Sequence, residues 1–343
     1  MKLKPIKCTG LSRAKGIAFS HTYIAACTGP RVMIYDRQFN LLKEFTNLSY
    51  VYHVYFSPDE TMLALISTAN LFYLVSLDDF SITKHRIGGK YCDNLEGRGC
   101  WTFDSKGLLV LPMNRETMNS ILRCYSVDQV MTFNDLFPEK YWLVSIKPVP
   151  ELKKYSLVGM DRIKYSLNRP DRWRLIWFDG ESFTEYPILV GAENDTILSS
   201  DFDSETGTII LYTLGRTIRC DIHGKILGTV DIPEDRMLTA AFSNVFSNCG
   251  LSEQAFREIT ELSASLGLED LCVPDAVSQV CTSSNGKWSY VATQSGIFVT
   301  DKQTNAVLAK VDLEYGASSV VEISENVIAV TTWSGVKIFE VIV

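Results

Sequence analysis

The chain of 343 residues is 46% hydrophobic and 21% charged, the composition of an ordinary globular protein with enough apolar material for a large core. Its net charge of −7 argues against a protein that coats nucleic acid, because phosphate contacts need clustered Lys and Arg. Nine cysteines are spread singly with no C-x-x-C pair, which argues against a zinc ribbon or a thioredoxin-like redox site.

Taken in order, the chain repeats one phrase: an apolar strand, an acidic closing residue and a tight turn. It reads Val32-Met33-Ile34-Tyr35-Asp36, then Tyr73-Leu74-Val75-Ser76-Leu77-Asp78, Arg123-Cys124-Tyr125-Ser126-Val127-Asp128 and Leu175-Ile176-Trp177-Phe178-Asp179. Thr217-Ile218-Arg219-Cys220-Asp221, Ile297-Phe298-Val299-Thr300-Asp301 and Val336-Lys337-Ile338-Phe339-Glu340 follow. Most steps are about 40–50 residues, the spacing of a four-stranded propeller blade. A second pattern precedes the phrase. Val51 to Phe56 runs into Ser57-Pro58-Asp59-Glu60, Cys100 to Phe103 into Asp104-Ser105-Lys106-Gly107, and Val277 to Thr282 into Ser283-Ser284-Asn285-Gly286. Asp, Asn, Pro and Gly at such corners supply the side-chain acceptors and positive φ that hairpins require.

These turns resemble those of WD-repeat-like β-propellers, Phe56-Ser57-Pro58-Asp59-Glu60 being similar to the Phe-Ser-Pro-Asp-Gly turn common in that family. The resemblance covers nearly the whole chain at the level of pattern; the family's Gly-His and Trp-Asp dipeptides are absent. The expected fold is therefore all-β: one seven-bladed propeller spanning residues 1–343, with four-stranded blades at about 16–45, 51–86, 99–133, 142–188, 197–231, 277–312 and 317–341. Lys2 to Cys8 is expected to supply the outer strand of the last blade and so close the ring.

Between the fifth and sixth blades the periodicity becomes helical. Leu238, Ala241, Phe242 and Val245 share one face, Phe256, Ile259, Leu262 and Leu266 another, and Gly250 is a plausible stop between them. The pattern predicts an α-helical hairpin inserted over residues 233–270.

Chemistry is thinly marked. The four histidines are His21, His53, His85 and His223, and only His53 falls on an expected innermost strand. No Gly-x-Ser-x-Gly elbow, HExxH pair or phosphate-cradling loop is present. Cys92, Asp93, Cys100, Asp135 and Asp161 fall in or beside loops of one face, but Cys92 and Cys100 lack zinc-ligand spacing. The sequence therefore assigns no catalytic residue, no metal site and no cofactor. No segment has the roughly 18 uninterrupted apolar residues of a membrane span. With scattered thiols and no signal-like apolar run, the expected setting is cytoplasmic.

The two faces differ. The short-turn face is acidic, whereas the face of longer loops carries Arg31, Arg98, Arg115, Arg162, Arg169, Arg172 and Arg216, with Tyr165 among them. Arginine beside aromatics suits planar recognition of carboxylates or phosphates. The expected function is a non-enzymatic scaffold that binds a protein partner through this face and the helical insert, including Phe256 and Ile259. Nucleic acid is possible but not favoured. The alternative is a hydrolase, lyase or anionic-ligand binder using the channel mouth and His53.

Overall fold

The computed structural model describes residues 1–8, 16–67, 70–87, 91–92, 99–127, 132–167, 169–190, 196–204, 206–213, 216–231, 277–293, 295–304, 306–314, 316–317, 319–332 and 335–343. The repeated phrase folds as the third strand of each expected blade: Val32–Asp36, Leu71–Ser76, Ser120–Ser126, Trp173–Phe178, Arg216–Cys220, Gly296–Asp301 and Gly335–Ile342. These strands are apolar along most of their length because both of their faces are covered. Leu71 to Val75 and Gly296 to Val299 are buried without a break. The fourth strands that follow, such as Ile82–Arg86 and Val307–Asp312, are largely exposed and carry polar and charged side chains, as edge strands do.

Five of the sheets are four-stranded blades. The first runs Gly16–Phe19, Tyr23–Cys27, Val32–Asp36 and Leu41–Phe45, and the next Val51–Phe56, Met62–Ser67, Leu71–Ser76 and Ile82–Arg86. Later come Ile197–Asp203, Thr208–Thr213, Arg216–Cys220 and Ile226–Asp231, then Val277–Thr282, Trp288–Thr293, Gly296–Asp301 and Val307–Asp312. The last blade joins Ser319–Ser324, Val327–Thr332 and Gly335–Ile342 to Lys2–Cys8, which pairs antiparallel with Gly335–Ile342. Innermost strands pack side by side around a ring. Ser319–Ser324 meets Gly16–Phe19, which meets Val51–Phe56, and so on round to Val277–Thr282.

The expected seven separate four-stranded blades are corrected by the region between. Among the described residues, Tyr91–Cys92 through Phe183–Ile188 form one nine-stranded sheet, leaving five blades of the regular kind. The cause is Phe133–Val149, a single 17-residue strand. Its first half pairs with Ser120–Ser126 and its second with Lys154–Met160. The stretch between the expected third and fourth blades, residues 134–141, is part of this strand and carries a β-bulge: Leu122 faces Phe137 while Ser120 faces Tyr141, so Pro138 sits where a missing N–H costs no ladder bond.

The helical hairpin expected at 233–270 falls where the structure gives no description. Among the described residues, helical structure is limited to the single turn Arg162–Ser166 and a 3-10 turn at Pro150–Leu152.

The turn aspartates hold the corners. Asp36 Oδ1 accepts the backbone N–H groups of Gln38 and Asn40, Asp221 Oδ1 those of His223 and Lys225, and Asp301 Oδ1 those of Gln303 and Thr304. At Asp179 the N–H groups of Ser182 and Glu181 hold the carboxyl at about 2, below the usual carboxylate range. At the first-to-second corners a hydroxyl joins in. Ser57, Thr102 and Ser283 donate to Asp59, Asp104 and Asn285 at 2.6, 2.6 and 2.9 Å and accept the N–H of Met62, Gly107 and Trp288. The acidic phrase is thus Asx-turn chemistry.

One glycine is fixed by close approach. A Cβ on Gly296 (φ +156°) would sit 2.1 Å from the Val311 carbonyl oxygen of the neighbouring strand. Gly296→Ala is expected to cost about 1–3 kcal/mol, measured by urea denaturation.

Candidate functional site

The loops between second and third strands open at one end of the sheets, and the Asx corners at the other. The best-built of these loops joins Lys154–Met160 to Trp173–Phe178. Asp161 starts it: its Oδ1 accepts the N–H groups of Ile163 and Lys164, both at 3.1 Å, the N-cap arrangement that lets a short helical turn form. Pro170 bars continuation of the helix. The loop closes on itself where Asp161 N–H donates to the Arg172 carbonyl at 2.8 Å, and Arg169 N–H to that of Lys164 at 2.9 Å.

Asp171 is the electrostatic centre. Lys164 Nζ donates to its Oδ2, with Arg169 Nε at 3.5 Å and Arg174 Nη2 at 3.7 Å. The Lys164 hydrogen bond first, and the charges of Lys164 and Arg169, hold the Asp171 carboxyl below its ordinary range. The knot holds the loop while its outer side stays bare. Ile163 is 75% exposed, Leu167 65% and Tyr165 48%, and Leu189 on the adjoining strand end is 60% exposed. Leu189 stands beside Arg172, one position beyond the Trp173–Ile188 pair.

The predicted site residues separate into three groups. Arg162, Tyr165, Arg169 and Arg172 come together on this loop; Arg162 and Arg169 are exposed, but Arg172 is buried. Arg31, Arg115 and Arg216 sit on loops at the same end of other strand pairs. Arg31 is exposed and reaches Glu44 at 3.4 Å, Arg115 is exposed, and Arg216 is half-buried at the start of its strand. Arg98, Phe256 and Ile259 lie outside the described residues. Sequence reading did not single out Ile163, Leu167 and Leu189, or Asp171, whose role depends on three cations converging. The readable signal was Asp161 as an N-cap followed eight residues later by Arg169-Pro170.

Elsewhere the ionisable groups are engaged in structure. Asp135 takes Arg123 in a two-point ion pair, and Asp161 caps its turn. The five cysteines whose side chains are described, Cys27, Cys100, Cys124, Cys220 and Cys281, are free thiols, all buried or half-buried. Burial pushes Cys220 up to about 12 and Cys281 to about 11, away from thiolate reactivity. The His53 ring stacks on Tyr55 with centroids 6.2 Å apart. Among the described residues no three His, Cys, Asp or Glu side chains are grouped to hold a metal ion. No helix among them is long and apolar enough to cross a membrane.

The ring of strands, the Asx corners and the loop end define a WD-repeat-like β-propeller fold. No family model and no curated relative matches the sequence. Among solved structures the chain is similar to the β-propeller domain of Cps50 (Swd1) from Myceliophteria thermophila. The TM-score is 0.69 at 8% identity, covering 99% of this chain and 100% of that one. At that identity the likeness is one of fold.

Proposed function

We propose that the protein is a non-enzymatic scaffold of the cytoplasm that binds a protein partner at the loop end of the propeller, centred on Asp161 to Arg172. The observation that carries this reading is a row of exposed apolar side chains, Ile163, Tyr165 and Leu167, on a loop locked by an N-cap and by the ion pairs of Asp171. Rigid presentation lowers the entropic cost of binding, and apolar centres ringed by arginine are the composition of interface hot spots. The commitment of carboxylates to turns and ion pairs, and of thiols to the core, supports a binding role over catalysis. Free thiols suit a reducing compartment.

The test is affinity purification from the native host. Ile163→Asp with Leu167→Asp, and separately Arg162→Glu, are expected to remove the main co-purifying protein. Because these positions are exposed, thermal midpoints should shift little, within about 0.5 kcal/mol per site. Retention of that protein by both variants would place the interface elsewhere.

A further inference from the structure

Among the described residues two arginines, Arg123 and Arg172, are almost fully buried, and they are not alike. Arg123 is 1% exposed; its Nε and Nη2 hold Asp135 at 2.6 and 3.0 Å, and its guanidinium lies 4.0 Å from the centre of the Phe133 ring. That is how a buried cation is ordinarily neutralised. Arg172 is 2% exposed, yet no carboxylate among the described residues reaches it. Nη1 donates to the Arg169 carbonyl at 3.1 Å, and Nε is buried with no partner. The adjacent carboxylate, Asp171, is turned to Lys164, Arg169 and Arg174 instead. Next to it, Trp173 Nε1 is likewise buried with no hydrogen-bond partner. Native interiors rarely tolerate such groups without a reason.

We infer that Arg172 is the buried anchor of an acidic-peptide receptor, taking from a partner protein a carboxylate that none of the described residues supplies. This rests on the reading of the Asp161 to Arg172 loop as the docking surface. Arg172 Cζ lies 6.0 Å from the Tyr165 ring centre, at the outer limit of a cation–π contact. Tyr165 is itself half-exposed, so its ring is the surface side chain that a partner meets on the way to the guanidinium. A planar guanidinium offers a two-pronged donor that fits a carboxylate. Ile163 and Leu167 on the same loop and Leu189 at the adjoining strand end are exposed and offer apolar contact to residues flanking that carboxylate. Charge balance favours an acidic protein segment over a nucleic acid. A polyanion needs a run of cations, but Asp171 already occupies Lys164, Arg169 and Arg174, and the chain as a whole carries −7.

The test uses fluorescence anisotropy with a labelled peptide of repeated Glu-Leu-Glu-Phe units, its Gln-for-Glu counterpart and labelled oligothymidylate. The acidic peptide is expected to bind saturably and the Gln peptide not to. Arg172→Met and Arg172→Lys should each weaken binding by about tenfold or more, the lysine because a point charge cannot replace the fork. Thermal unfolding is expected to leave Arg172→Met as stable as the parent while Arg123→Met is lowered, since only the latter breaks a pair. An Arg172→Met affinity within about twofold of the parent overturns the inference. So do equal binding of the Gln peptide, tighter binding of oligothymidylate, or no saturable binding of the acidic peptide. If Ile163→Asp with Leu167→Asp abolishes peptide binding while Arg172→Met does not, the docking surface stands and the carboxylate anchor falls.

Discussion

Asp203→Ala is expected to destabilise the protein by about 3–5 kcal/mol, the cost of stranding a buried charge after its partner is removed. The Asp203 side chain is 2% exposed and stands between two cations: Arg219 Nη1 at 3.0 Å from Oδ2 and Lys302 Nζ at 3.0 Å from Oδ1. Lys302 is 8% exposed and comes from the following blade, so the pair ties the Ile197–Asp231 blade to the Val277–Asp312 blade across the chain between them. The pH dependence follows from the shift. Burial alone would raise the Asp203 carboxyl, but the Thr206 hydroxyl, Lys302 and Arg219 outweigh it and hold it below the ordinary range. A depressed folded-state value means the contribution is complete above the unfolded Asp value of about 3.9 and is lost as pH falls through the lower folded value. Urea denaturation from neutral to acid pH should therefore show parent and Asp203→Ala far apart near neutrality and converging below about pH 4. A constant gap across that range would assign the loss to packing instead of charge.

Trp173→Ala is expected to cost about 3–5 kcal/mol, the range for emptying a large aromatic from a packed interior. Trp173 is fully buried at the base of the candidate site, paired in register with Met160 and Ile188. It packs in the cluster that joins its sheet to Ile197, Ile209, Leu211 and Ile218 of the next blade. Its Nε1 has no hydrogen-bond partner, so Trp173→Phe forfeits volume and no bond, and should cost about 1–2 kcal/mol. A Phe variant as damaged as the Ala variant would mean that Nε1 holds a partner in solution. Because Trp173 follows Arg172 directly, the Ala variant should also loosen the loop. Peptide binding should fall with Trp173→Ala and persist with Trp173→Phe.

Much of the fold could be read from local chemistry. The apolar third strands, their acidic ends and the Ser57-x-Asp59, Thr102-x-Asp104 and Ser283-x-Asn285 corners each form within a few residues, so their signals are local. The merging of two expected blades could not be read that way. Phe133-Asn134-Asp135 and Tyr141-Trp142-Leu143 each look like a strand, and Pro138 looks like the break between them. Whether the chain bends there or bulges is settled by pairing with Ser120–Ser126 on one side and Lys154–Met160 on the other. The candidate site was legible in part. Arg162, Tyr165, Arg169 and Arg172 could be named, but a string of arginines does not show which of them a neighbouring carboxylate will neutralise.

The sequence by itself determined that this chain forms strands in a blade-like rhythm with Asx corners, because strand burial and turn geometry are written in residues a few positions apart. Only the tertiary structure decided that five blades stand apart while the rest share one sheet, since register depends on partners far along the chain. It alone decided that Arg172 goes inside with no carboxylate among the described residues while Arg123 goes inside with one. Burial and ion pairing are properties of the packed neighbourhood, and the same residue type carries either fate.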